Sequence, residues 1–260
     1  PQEAAAYVEK IYEEKTDLIK LMITGGVMDA EVVGEPGVLR MMPELVKAAC
    51  DRAHSLGMTV AAHVESPQGV RVALENGVDS IEHGAKPDEE TIRLFKEKNA
   101  FQISTISPAL PYALFDRSIS HATYEQQENG KVVFDGIVSL AKACLETGVP
   151  VGLGTDTGCP YITHYDMWRE LCYFVKYCGV TPAFALYSAT LLNAKLAKID
   201  SFTGSVEKGK CADIIVCAKN PLEDLSALRN LDMVIKEGYI IENPRPKKMP
   251  ECEKELDKFL

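Results

Sequence analysis

The stretch HVESPQGVRVALENGVDSIEHG, His63 to Gly84, places two of the chain's five histidines at the ends of successive apolar runs. These runs are MTVAAH (58–63) and VDSIEH (78–83). Between them lies helical punctuation, with Ser66 as a cap, Pro67 in the first turn and Gly77 as a stop. Strand, helix, strand in so short a span is the βα pattern of a parallel sheet.

The same order continues on both sides. Strands are read at DLIKLMI (17–23), MTVAAH, VDSIEH, FQISTI (101–106) and VPVGLGTD (149–156). Each is apolar over both faces, as strands covered on both sides are. Helical patterns fill 42–57, 66–77 and 86–99, then roughly 122–148, 165–178 and 182–197. Beyond these, residues 204–243 hold two β-type runs, ADIIVCA and MVIKEGYII, with glycine turns and no useful helix, so a small β subdomain is expected. The last stretch, PRPKKMPECEKELDKFL, reads as a Pro-rich link and a short polar helix or tail.

Composition bounds the function. The chain has 260 residues, 46% hydrophobic and 25% charged, enough for a full core. A formal net charge of −10 and the lack of a clustered basic face argue against nucleic acid. No apolar run is long enough to span a bilayer, and no membrane association is expected. Eight scattered cysteines without a C-x-x-C pair suit free thiols in a reducing cytoplasm. The chain opens on Pro1 without an initiator Met, which suggests processing or a piece of something longer.

Four residues sit at or near the C-terminal ends of the expected strands: Lys20, His63, His83 and Asp156. In a parallel barrel those ends converge on the face where active sites form. Each has a plainer reading. Lys20 could snorkel from an edge, His63 and His83 could be satisfied core histidines, and Asp156 could serve the turn in GLGTDTG. Glu82 beside His83 and Gly84 after it favour a tight strand-to-loop exit. As a set the four residues imply a site in which imidazoles and carboxylates hold a divalent ion such as Zn²⁺. Such an ion acidifies water, and Asp156 stands where it could take the proton.

The segments DLIKLMITGGV, His63 to His83 ending GVDSIEHG, GLGTDTG and GSVEKGKCADIIV together resemble the amidohydrolase superfamily, most of all its imidazolonepropionase-like and Xaa-Pro dipeptidase-like members. The resemblance runs from about residue 10 to about 243. It implies an α/β fold, a (β/α)8 TIM-type barrel of which strands 4–8 are present, with part of a β-sandwich subdomain. Residues 1–199 would form the barrel portion, 200–243 the sandwich portion and 244–260 a tail. It also implies that Lys20 carries a CO2-derived carbamate bridging two metals in a complete site, and that His63, His83 and Asp156 are ligands. A carbamate would remove the problem of burying an ammonium at Lys20.

The chain departs from the family pattern in having no His-x-His. Its partners are therefore expected to include a missing N-terminal segment or a second chain, besides a small amide or dipeptide substrate and further copies in a homo-oligomer. His164, and Tyr112 with Arg117 in the loop expected after the fourth strand, are candidate substrate contacts. The activity implied is hydrolysis of an amide in a dipeptide, N-acyl amino acid or cyclic amide by metal-activated hydroxide. The competing reading is a truncated, non-catalytic barrel with a structural or partner-binding role.

Overall fold

The computed structural model describes residues 1–260. By internal contacts the chain forms two compact units, residues 1–104 with 112–151 and residues 105–111 with 152–260.

The first unit opens with helix α1 (Gln2–Glu13) and strand β1 (Leu18–Met22). It continues through α2 (Pro43–Ser55), β2 (Thr59–Val64), α3 (Pro67–Glu75), β3 (Ser80–His83), α4 (Glu89–Lys98) and β4 (Phe101–Ser104). The four strands pair in parallel and in sequence order, with Lys20 opposite Ala61, Met22 opposite His63, and His63 opposite Glu82. Their alternation explains the core. Val60, Ala62 and Val64 of β2 are fully buried, whereas Ala61 and His63 face the other side and are only partly covered.

The helices start where the sequence punctuates them. Ser66 accepts the Gly69 N–H at the head of α3, and Asp88 accepts the Thr91 N–H at the head of α4. After β4 come α5 (Ile106–Leu114), α6 (Arg117–Ser120) and the long α7 (Tyr124–Thr147), which Thr123 and Gln126 open with reciprocal capping bonds. The Gln102 N–H then bonds the Pro150 carbonyl, which leads into β5 (Val151–Leu153).

The second unit carries α8 (Met167–Cys178), then α9 (Pro182–Tyr187), a π-helical turn over Ser188–Leu192, and α10 (Asn193–Leu196). The Asn193 side chain bonds both the N–H and the carbonyl of Leu153, holding the end of β5. The β subdomain is a three-stranded antiparallel sheet, β6 (Ile214–Val216), β7 (Met233–Lys236) and β8 (Tyr239–Glu242). The run expected as one strand is a hairpin. It turns at Glu237 and Gly238, both at positive φ (52° and 84°), the requirement of a tight two-residue turn. Helix α11 (Pro250–Leu256) closes the chain. Buried Arg169 pairs with Asp166 and Asp257 there, and Arg229 pairs with Asp257 and Glu253.

Two expectations need correction. The segment from Ile106 is helix and not strand, so the long loop expected to follow is replaced by α5 and α6. The physical reason lies at Glu170 of α8. Its fully buried carboxyl accepts the Ile106 N–H (2.8 Å), the Ser107 N–H (2.7 Å) and the Ser107 hydroxyl (2.5 Å). It thereby satisfies the free donors at the start of α5. The second is helix α1, which forms over residues for which no element is expected above.

Burial pushes the Glu170 carboxyl up to about 7 despite those three donors. A glutamate whose folded value lies above its unfolded value stabilises fully below about pH 4.5, and that stabilisation is lost as pH rises towards 7. Urea unfolding across this range is expected to show a loss on the order of 2–3 kcal/mol. Glu170→Gln should flatten that slope.

Candidate metal centre

His63 occupies the penultimate position of β2, where alternation turns it away from the helix-covered core. Its Nε2 lies 3.3 Å from the Gly25 carbonyl oxygen. Two residues on, Glu65 leaves the strand, and its backbone N–H donates to Thr24 Oγ1 (3.0 Å). Its side-chain Oε2 accepts the Val27 N–H (3.0 Å). The β1-to-α2 loop is thus fastened to the end of β2 by hydrogen bonds at both the backbone and the side chain of one residue.

Gly26 shows how close the loop comes. A Cβ there would stand 2.8 Å from Glu65 Oε2 and 3.2 Å from His63 Nε2. Asp29 steadies the same turn by accepting the Gly26 N–H at 2.7 Å. That bond, with the Arg40 guanidinium, holds the Asp29 carboxyl below the usual carboxylate range.

His83 closes β3 in the left-handed region (φ 68°), and Gly84 follows at φ 103°. The strand therefore exits as sharply as the sequence suggests. The turn swings the imidazole towards His63, with ring centroids 4.7 Å apart and planes at 71°. His83 is 4% exposed, its carbonyl accepts Gln102 Nε2 (3.1 Å), and the next N–H bonds the Val64 carbonyl. Holding a histidine at positive φ costs of order 1–3 kcal/mol, and such strain clusters at working sites.

The outcome is a compact donor set. One ligand atom each from His63, Glu65 and His83 falls within 4.8 Å of the others. Burial, then His63, then Lys20 push the His83 imidazole well below its ordinary range, so it is neutral with a lone pair to offer at neutral pH. Two imidazoles and a carboxylate match the ligand chemistry of Zn²⁺ and related divalent ions. These residues fit the metal that the sequence implies.

Glu65 is the member that the sequence reading missed. Its signal was the short spacing in His63-Val64-Glu65, which brings a carboxylate beside a strand-end imidazole.

The other candidates are less gathered. Lys20 is exposed, as are Leu18 and Met22 on the same side of β1. It is near enough to His83 to repel a proton from it. Tyr112 lies on α5, buried, with its hydroxyl donating to the Met28 sulfur. Arg117 begins α6 and is exposed. Asp156 belongs to the second unit, just beyond β5, exposed and at φ 51°, and accepts a hydrogen bond from the Cys159 thiol. His164 is also in that unit, on an exposed turn before α8.

Parallel βα units with polar side chains gathered at the strand ends are the arrangement of the TIM-barrel class. The profile of the Amidohydrolase family matches residues 1–241, and the chain belongs to that family. An imidazolonepropionase of Symbiobacterium thermophilum is 26% identical over 214 residues, covering 81% of this chain and 45% of the relative. The solved structure of a Bifidobacterium longum protein, provisionally described as a prolidase, is 40% identical with a TM-score of 0.93, covering 99% of this chain and 63% of that one. A Xaa-Pro dipeptidase structure with methionine in its active site is 35% identical with a TM-score of 0.83, covering 93% of this chain and 58% of that one. The chain spans about half the length of the curated relatives it matches.

The crowding at Gly26 gives a test. Gly26→Ala should fold normally yet bind Zn²⁺ at least tenfold more weakly by calorimetric titration, because its Cβ displaces Glu65 or His63. Unchanged affinity would show that these side chains are not ligands.

Proposed function

We propose that the chain contributes to a metal-dependent amidohydrolase that cleaves an amide bond in a dipeptide such as Xaa-Pro, in an N-acyl amino acid or in a cyclic amide. The observation that carries this reading is the convergence of His63, Glu65 and His83 at the ends of adjacent parallel strands. The prolidase-like structures at 35–40% identity support the substrate class. The domain reading that goes with it takes residues 1–199 as barrel, 200–243 as part of the sandwich subdomain and 244–260 as a tail. All eight cysteines are free thiols, in keeping with a reducing compartment such as the cytoplasm.

In this reading one ring nitrogen each of His63 and His83 and a Glu65 oxygen would hold the ion. The ion, Zn²⁺ by preference, supplies Lewis acidity that polarises a carbonyl and acidifies water. Asp156 is the residue proposed to take up and return a proton on a carboxylate oxygen. Lys20 contributes by its charge. As an ammonium it opposes a cation near His83, and as a carbamate it becomes an oxygen-rich anion that favours one. His164, Tyr112 and Arg117 remain proposed substrate contacts.

With the expected N-terminal segment supplied, hydrolysis of Xaa-Pro dipeptides should appear on loading with Zn²⁺, vanish on chelation and return on reloading. Asp156→Asn should lose on the order of 10²–10⁴ in kcat. His83→Ala should lose both metal and activity. A chain that binds metal fully and hydrolyses none of these amides would support the non-catalytic reading instead.

A further inference from the structure

We propose that a cleft beside Glu65 binds the carboxylate-bearing end of the ligand, with Lys86 as the group that recognises the carboxylate. This rests on the amidohydrolase reading above, which supplies the amide, and it adds which end of the substrate is read and by what.

The cleft lies wholly in the first unit and has a volume of about 540 Å³, within the range of small-molecule sites. Its walls are residues 34–39 of the β1-to-α2 loop, the start of α3, the Gly84–Lys86 segment that follows His83, and Val132 of α7. Glu65 lines this cleft and also belongs to the donor cluster. Glu65 is thus the residue common to the cleft and the candidate metal centre.

The lining selects a chemistry. Pro36, Leu39, Pro67 and Val132 offer an apolar bed. Three charges accompany them, on Glu35, Glu65 and Lys86. Glu65 is engaged by the Val27 N–H, whereas Lys86 is exposed and makes no ion pair, and it is the only cation in the lining. An unpartnered ammonium over an apolar bed suits a carboxylate joined to an apolar body, such as the C-terminal residue of a dipeptide or an N-acyl amino acid. Glu35 presents a like charge to any second carboxylate, which favours monocarboxylates.

The walls are fixed before a ligand arrives. A Cβ at Gly37 would lie 2.5 Å from the Glu65 carbonyl oxygen, so the loop backbone rests directly on the end of β2. Asn129 of α7, fully buried, accepts the Gly34 N–H (2.7 Å) and donates to the Val32 carbonyl (3.0 Å). On the opposite side Gly136 of α7 packs against the Ala85 backbone, with 3.1 Å from a built Cβ to Ala85 Cα. Binding here spends little free energy on ordering the site.

The test uses the whole chain, metal-free under chelator, titrated by NMR with N-acetyl-L-proline and with N-acetyl-L-prolinamide, which differ only in the carboxylate. The acid should bind about five- to tenfold more tightly than the amide. Lys86→Met, an exposed position that should not disturb folding, should abolish that preference by weakening the acid alone. Val132→Trp should fill the cleft and weaken both ligands. Equal binding of acid and amide to the wild type, a preference that survives in Lys86→Met, or no binding of either ligand would overturn the proposal. Turnover is not measured, so absence of hydrolysis would sink the catalytic reading and leave this result standing.

Discussion

The site depends on one connection, the pair of hydrogen bonds by which Glu65 ties the β1-to-α2 loop to the end of β2. Its backbone N–H engages Thr24 and its carboxylate engages Val27. They act together with the Thr24–Leu39 bridge and the Asn129 bonds at Gly34 and Val32 to hold the long loop from Thr24 to Met42, which contains no helix. Fastened, it brings Gly25 and Gly26 against His63 and forms a wall of the neighbouring cleft. One residue thus positions a loop, offers a donor atom and borders the ligand space.

The arrangement follows from simple geometry. Parallel strands in register present their ends at the same level, and Val64 stands opposite His83. His63 faces away from the packed side by alternation, whereas His83 has the opposite parity and would point into the helical layer if β3 continued straight. Positive φ at His83 and Gly84 turns it back, so the strain at that exit is what brings the two rings together. Burial then keeps the His83 imidazole neutral, and the neighbouring Lys20 charge acts in the same direction.

Much of this was legible in the sequence. Alternation and punctuation place the parallel strands within a few residues of their observed bounds, because each strand is bracketed by Gly, Pro or a capping side chain. Strand-end position alone picks out His63 and His83. What escaped reading depends on distant partners. Helix α5 exists because Glu170, far along the chain, caps it, and no local pattern around Ile106 announces that. Glu65 earns its place through Val27 and Thr24, about forty residues earlier, and Lys86 through a cleft assembled from four separate segments.

Leu18, Lys20 and Met22 share one side of β1, so a charged side chain stands between two apolar ones on that face. Any segment laid against this face meets all three together: it gains by covering Leu18 and Met22, and it must offer Lys20 a counter-charge or a path to water.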